Sequence, residues 1–539
     1  MAKSTPVEEQ TRPESSAPPR YSEDEAVQPK RLVGQRGRSG GEPPLLAALR
    51  RRRGVATAAV VSAGALTGAV SAYVMPRGPV SASEGLAVML TGLLLGAVAG
   101  LVLERRRAIV IAVVSHVAAL ELVRWPIDGP TVDGIHLGST YGIIAFVTGR
   151  GFHAALLLPA ALVGVMYGAG LARRLMGRSA QHPRWALIAR RGAAALCAVA
   201  VLGIAVMVGR PATTPAIVGG DGEPLAGSIA ELTSVRVGGH ENGLMLRGRS
   251  ADAPVLLYLA GGPGGTDLGA MRLLGEPLER DFVVATWDQR GGGSSYGALD
   301  PTSTLTLDRA VRDTIELAEL LRERFDQERI YIVGNSWGTI PGVLAAQRRP
   351  DLFAAYVGTG QMVSTTETDR TFYADTLTLA RQNGDDDLVG TLKRNGPPPY
   401  EDLLDYGSVF LHEHDWNNYA MVPAYAAKGE MPANLGVPEY DLVQKVRAFS
   451  SLLDTFAVLY PQLRDVDLRA RAARLQVPVY VVEGEHEARG RAGPSREWFD
   501  ALEAPTKRWV ELPRSGHRPH FEQPARFAAT MRAVLSETR

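Results

Sequence analysis

Between Val55 and Met75 the chain runs for 21 residues without a charged side chain. As a helix that stretch is about 30 Å long, the thickness of a bilayer's hydrocarbon core. Gly85–Leu103, Gly151–Ala172 and Gly192–Gly209 are likewise uncharged. None of the four shows the polar stripe that a helix covering a soluble core would carry, so they predict membrane spans. Ala108–Val123 is shorter and holds His116 and Glu121; it is taken as a further span, giving five near 55–75, 85–103, 108–123, 151–172 and 192–209. Leu137–Gly149 is uncharged but too short to cross, which suits a re-entrant or interfacial segment.

The spans carry small residues four apart: Gly64 and Gly68; Gly92, Gly96 and Gly100; Gly164 and Gly168. That spacing lets helix backbones approach closely, within one bundle or, as a second possibility, in a homodimer. Glu121 lies three residues from Arg124 at a span end, which suits snorkelling to the interface better than a proton relay.

The arginines set an orientation. Arg50–Arg53 precede the first span, Arg105–Arg107 separate the second and third, and Arg173, Arg174, Arg178, Arg184, Arg190 and Arg191 separate the fourth and fifth. The opposite loops hold only Arg77, Arg150 and, at an edge, Arg124. Positive residues stay inside, so the N-terminus is expected in the cytoplasm and everything after Arg210 outside it, in a multi-pass protein of the cell membrane. The formal charge of +1 conceals this division. Residues 1–210 hold 24 Lys/Arg against 12 Asp/Glu, and residues 211–539 hold 34 against 45. Basic residues do not gather on the C-terminal part, which argues against nucleic acid as a partner. Residues 1–50, rich in Pro, Ser, Glu and Arg, predict a disordered cytoplasmic tail, too polar to begin a cleaved signal peptide. The single cysteine, Cys197, lies inside the last span, so the external part is expected to rely on a packed core rather than disulfides.

After Arg210 short apolar runs alternate with helical stretches. Ala253–Leu259, Asp281–Trp287, Arg329–Val333, Ala354–Val357, Val477–Val482 and Lys507–Leu512 read as strands; Leu307–Arg324, Ile340–Arg349 and Pro524–Leu535 read as helices. Such alternation predicts a mostly parallel sheet covered on both faces over 211–539. The rhythm breaks near 363–460, as an inserted helical lid would break it.

Directly after the third strand stands Gly334-Asn335-Ser336-Trp337-Gly338, followed by a helix. G-x-S-x-G at a strand–turn–helix junction holds a serine hydroxyl above the sheet. A serine needs a base, itself oriented by a carboxylate. His517 follows the last strand and is the candidate base; His520 suits a packing role. For the acid, Glu483, Glu485 and Glu487 compete after Val477–Val482, and Glu487 is preferred because it lies on the loop beyond the strand end. An oxyanion needs two backbone N–H donors. Trp337 follows the nucleophile, and Gly262 belongs to the glycine loop Ala260–Gly265, which has no Gly-Lys-Ser/Thr to make it a phosphate cradle. No His, Cys or carboxylate cluster has metal-ligand spacing, so neither metal nor other cofactor is expected.

AGGPGG at Ala260–Gly265, DQRGGGSS at Asp288–Ser295, GNSWGT at Gly334–Thr339, GEHE at Gly484–Glu487 and SGHRPHFEQP at Ser515–Pro524 occur in this order. Together they resemble the proline iminopeptidase branch of the α/β-hydrolases, over roughly Thr233–Arg532. The resemblance implies an α/β-hydrolase fold with a lid. It also implies nucleophile Ser336, base His517, acid Glu487, oxyanion donors Gly262 and Trp337, and a small peptide or other acyl substrate. In that branch lid carboxylates hold the substrate's amine; Glu367, Glu413, Asp415 and Glu430 are candidates for it, and the preferred reading of them is as solvated polar residues of an acidic domain. The chain departs from the family pattern at Ala260 (usually His), Gly292 (commonly Cys) and Glu487 (ordinarily Asp). An esterase or lipase of the same fold, or a domain that binds an external ligand without turnover, are the readings these departures admit.

Overall fold

In a computed structural model of the chain, residues 51–105, 107–176, 183–428 and 430–539 are described; the expected disordered tail lies outside them. Among the described residues six helices come first: α1 (Arg53–Val74), α2 (Ala82–Leu103), α3 (Ala108–Val123), α4 (Thr140–Phe146), α5 (Phe152–Leu175) and α6 (Arg184–Val208). α4 and α5 join through a π-turn at Val147–Gly151 into one 36-residue rod. Such a rod is ~54 Å long, well beyond a hydrocarbon core. The uncharged run at 137–149 is therefore corrected: it does not re-enter but begins this rod, capped where the Gly142 N–H donates to Ser139 Oγ at 3.1 Å. α1, α2, the α4–α5 rod and α6 are long and apolar enough to cross a membrane; α3, with 16 residues, is shorter.

The glycine stripes pack inside the bundle. A Cβ on Gly96 would lie 2.1 Å from the Ala161 carbonyl oxygen of α5, and one on Gly164 would lie 2.1 Å from that of Leu93. Gly92, Gly100 and Gly168 meet the same α2–α5 seam, while Gly64 and Gly68 meet α3. Every glycine of the stripes thus makes a close contact within the chain, the first of the two arrangements its spacing allows. Glu121 accepts from Arg124, and from Arg150 Nη2 of the neighbouring rod at 3.0 Å.

The C-terminal part is an eight-stranded sheet of order β1-β2-β4-β3-β5-β6-β7-β8. β1 (Ile229–Val237) and β2 (His240–Gly248) form an antiparallel hairpin over Gly238 and Gly239, both at positive φ. β3 (Val255–Leu259), β4 (Val283–Trp287), β5 (Ile330–Asn335), β6 (Phe353–Thr359), β7 (Val479–Gly484) and β8 (Lys507–Leu512) are mutually parallel. β3 to β7 are buried along nearly their whole length, which is why they read as continuous apolar runs. The helix Leu307–Arg324 lays Val311, Leu317 and Leu321 on one face of the sheet, and Pro524–Thr538 lays Phe527, Met531 and Val534 on the other. Between β6 and β7 the chain leaves the sheet for a run of helices from Thr365 to Leu459. The last of them, Leu442–Leu459, lies against the bundle: Val443 packs with Met75, Leu156 and Val208.

Candidate active site

β5 delivers its last residue, Asn335, to the C-terminal edge of the sheet, and Ser336 turns the chain with φ of 51°. A left-handed serine costs ~1–2 kcal/mol of backbone strain, which the surroundings must offset. Both flanking glycines are required by close approach. A Cβ on Gly334 would sit 2.6 Å from the Gly338 carbonyl oxygen, and one on Gly338 would sit 2.3 Å from that of Leu259. The turn is thus pressed onto the end of β3, where the glycine loop begins. A Cβ on Gly261 would lie 3.3 Å from Ser336 Cβ.

In that loop Gly262 has φ of 126°. Among the described residues no backbone hydrogen bond outside the helices and strands engages the N–H of Gly262 or of Trp337. Gln289, from the loop after β4, ties the two sides together: its Nε2 donates to the Ala260 carbonyl at 3.0 Å and its Oε1 accepts from the Trp337 indole at 3.1 Å. Asp288 fixes the same loop, accepting from Ser294 N, Ser294 Oγ and Thr266 Oγ1 at 2.7–2.8 Å.

His517 follows β8. Its carbonyl accepts from Asn335 Nδ2 at 3.5 Å, and its ring lies against Gly360, where a Cβ would meet Nδ1 at 2.7 Å. Nδ1 is 2.8 Å from Glu487 Oε2. Of the three competing carboxylates only Glu487 reaches the imidazole. Glu485 is turned outward to the Arg514 N–H. Glu483, at the end of β7, is buried and accepts from the Gln361 N–H and Ser495 Oγ. Burial, with Glu487 charged beside it, pushes the Glu483 carboxyl well up and keeps it in the acid form. Burial would raise Glu487 as well, but Arg491 and His517 outweigh it and hold that carboxyl low. His520, three residues on from His517, is buried against the Tyr258 hydroxyl at 2.9 Å, a packing position.

The sequence reading overlooked Arg491 and Gln289. Arg491 Nε donates to Glu487 Oε1 at 2.8 Å; its spacing of four from Glu487, at the start of the helix Arg489–Ala501, is the signal that pointed to it.

A family model described as the alpha/beta hydrolase fold matches residues 254–524. The chain belongs to the α/β-hydrolase fold family. The hydrolase domain is 29% identical over 318 residues to the probable aminopeptidase YbaC of Bacillus subtilis (strain 168), covering 56% of this chain and 96% of that protein. It is 25% identical over 284 residues to a proline iminopeptidase of Heyndrickxia coagulans, covering 52% and 90%. Among solved structures, a proline iminopeptidase-related protein from Thermus thermophilus aligns with a TM-score of 0.42 at 21% identity, over 57% of this chain and 98% of that one.

Each lid carboxylate considered for an amine is already paired in this hydrolase. Glu413 is held by Arg491, Glu430 by Arg518 at 2.9 Å, Glu367 by Arg469 at 2.6 Å, and Asp415 by His412 at 3.0 Å. The lid also covers the triad loops directly. Asn417 Nδ2 donates to the His486 carbonyl at 2.9 Å, and the Tyr419 ring stacks on His486 at 4.9 Å.

Proposed function

We propose that the protein is a membrane-anchored serine hydrolase in which His517 deprotonates Ser336 for attack on an acyl carbonyl. Glu487 orients the imidazole and stabilises its charged form, the N–H groups of Gly262 and Trp337 receive the oxyanion, and water releases the acyl-enzyme. The observation that carries this reading is the 2.8 Å contact of His517 Nδ1 with Glu487, on a histidine whose carbonyl accepts from Asn335, the residue before Ser336. The relatives named as aminopeptidases favour a peptide with a free N-terminus, most simply one beginning with proline. The pairing of Glu367, Glu413 and Glu430 with arginines favours the second reading, an esterase, because an ester substrate brings no amine to neutralise. The arginine pattern supports a domain outside the cytoplasm.

Fluorophosphonate labelling of the full-length protein tests the mechanism. Ser336→Ala abolishes it; labelling that survives the substitution rejects Ser336 as nucleophile. Turnover of proline arylamides against short-chain esters then decides between the substrate classes.

A further inference from the structure

The Leu442–Leu459 helix carries two working faces. Arg447, Ser450 and Asp454, spaced by three and four, face the membrane bundle; Ser451 and Thr455 face the loops of the active site. On the first face Asp454 is fully buried. It accepts from Arg77 Nη1 at 2.9 Å, from the Thr131 N–H at 3.0 Å, from Thr131 Oγ1 at 2.6 Å and from the Tyr296 hydroxyl at 2.6 Å. Three of these four donations come from the bundle: Arg77 from the turn between α1 and α2, Thr131 from the segment between α3 and α4. Arg77 also forks onto Asp300 at 3.0 and 3.1 Å and donates to the Asp128 carbonyl at 2.8 Å. Arg447 donates to the carbonyls of Thr148 and Arg77, and Ser450 donates to Thr148 Oγ1 at 2.8 Å.

On the second face the fit is as close. Thr455 Oγ1 donates to the Gly291 carbonyl at 2.8 Å, and Ser451 Oγ accepts from the Gly293 N–H at 3.3 Å. Gly264 leaves no room at all: a Cβ there would lie 2.5 Å from Thr455 Cβ and 2.7 Å from the Ser451 carbonyl oxygen. Gly264 stands two residues from Gly262, in the loop pressed against Ser336. A buried carboxylate is stable only while its donors stay in place. One helix therefore transmits the position of the bundle's external loops to the glycine loop of the hydrolase, with no side chain in between free to yield.

We infer that the membrane bundle is a working part of the active site rather than a tether. Arg77 and Thr131 fix Asp454, Asp454 fixes the Leu442–Leu459 helix, and that helix holds the glycine loop in the shape that aims the Gly262 N–H at the developing oxyanion. Arg77, Thr131 and Asp454 are positioning residues for the reaction. The inference rests on the serine-hydrolase reading of the site. A displaced oxyanion donor acts on the transition state and leaves ground-state binding alone, so it lowers kcat and spares KM.

The test uses the full-length protein in detergent, with Arg77→Ala, Arg77→Lys, Asp454→Asn and Thr131→Val, read by ester turnover and by amide hydrogen exchange. Loss of one oxyanion donor costs about 100- to 1,000-fold, so a donor that is only misplaced in Arg77→Ala or Asp454→Asn should cost about 10- to 100-fold in kcat with KM near the parent value. Arg77→Lys keeps the charge but not the fork and should recover part of the loss. Thr131→Val removes one hydroxyl and no charge, and gives a smaller fall in kcat should the charged variants fail to fold. Exchange should quicken in residues 260–266 and 447–455 and stay unchanged in β7 and β8. Parent-like kcat with unchanged exchange at 260–266 would make the bundle an anchor only. A raised KM with parent kcat would make it a gate for substrate; either result overturns the inference. Exchange is read without turnover, so a parent that shows no labelling at Ser336 would reject the nucleophile while leaving this coupling still decidable.

Discussion

Glu487 serves two partners at once: its Oε2 lies 2.8 Å from His517 Nδ1, and its Oε1 lies 2.8 Å from Arg491 Nε. Arg491 continues to Glu413 in the lid, so the carboxylate that meets the His517 imidazole is itself held by a cation that the lid helps to fix. The buried Glu487 side chain stays ionised only because Arg491 and His517 outweigh the effect of burial.

Glu487→Gln keeps the shape and removes the charge. It should lower kcat by about 10³- to 10⁴-fold with little change in KM, as expected where the carboxylate sets the tautomer of a catalytic histidine. Glu487→Asp shortens the reach by a methylene and cannot meet both His517 and Arg491 from the same backbone, so a loss of intermediate size is expected. Steady-state kinetics on an activated ester measures both. A Gln variant that keeps a tenth or more of the parent kcat would remove Glu487 from the machinery.

Ser336→Gly and Ser336→Ala both delete the hydroxyl, and both should be inactive. They differ in the backbone. At φ of 51° alanine retains the left-handed strain and glycine relieves it, so Ser336→Gly should be the more stable by about 1 kcal/mol, after allowing for the greater freedom of glycine in the unfolded chain. Thermal midpoints of the two variants in the same detergent decide it. An alanine variant more stable by about 0.5–1 kcal/mol, the cost of glycine's freedom alone, would mean that the turn stores no strain.

What the sequence made legible follows from range. The apolar helices and the helix Leu307–Arg324 depend on local composition and periodicity, and the structure begins and ends them within a few residues of the expected positions, apart from the helix that starts at Arg184 rather than Gly192 and the rod that starts at Thr140 rather than Gly151. The strand–turn–helix setting of Ser336 is also local. The β1–β2 hairpin escaped because both strands are only partly buried and alternate weakly, although Gly238-Gly239 is itself a two-residue turn signal. Contacts between remote segments left no local trace. Arg77 and Asp454 are 377 residues apart, and nothing in either neighbourhood marks them as partners. The choice of Glu487 over Glu483 and Glu485 rested on loop position; the structure adds what the sequence lacked, namely which carboxylate faces an imidazole and which faces a buried serine hydroxyl.

Asp369 gives the lid a pH dependence. It is buried on the helix Thr365–Asn383 and accepts from the Tyr460 hydroxyl at 2.6 Å. Burial pushes its carboxyl from 3.8 up to about 7, against the pull of its tyrosine donors and Arg491. Between those values the folded protein keeps a proton that the unfolded chain releases. Stability from this group is therefore fully present below about pH 4, declines as pH rises, and levels off above about pH 7, with a slope of at most about 1.4 kcal/mol per pH unit. Asp369→Asn cannot ionise and should lack this slope, so its thermal midpoint should gain on the parent between pH 4.5 and 8. Midpoints that run parallel across that range would show Asp369 to be charged in the native state.

Sidedness is the remaining consequence of the bundle. Arg77, just past the end of α1, is bonded to Asp300 and Asp454 of the hydrolase domain, and Gly85 near the start of α2 packs against Val208 at the end of α6 and Val443 of the lid. The ends of α1 and α6 and the start of α2 thus lie together, at the hydrolase, and Arg51, Arg52 and Arg53 stand at the other end of α1. If α1 crosses with those arginines inside, the hydrolase must lie outside, whatever the fate of the short α3. A protease added to intact cells should release the C-terminal domain and leave an N-terminal epitope tag protected. Protection of the C-terminal domain together with loss of the tag would invert the orientation and place Ser336 in the cytoplasm.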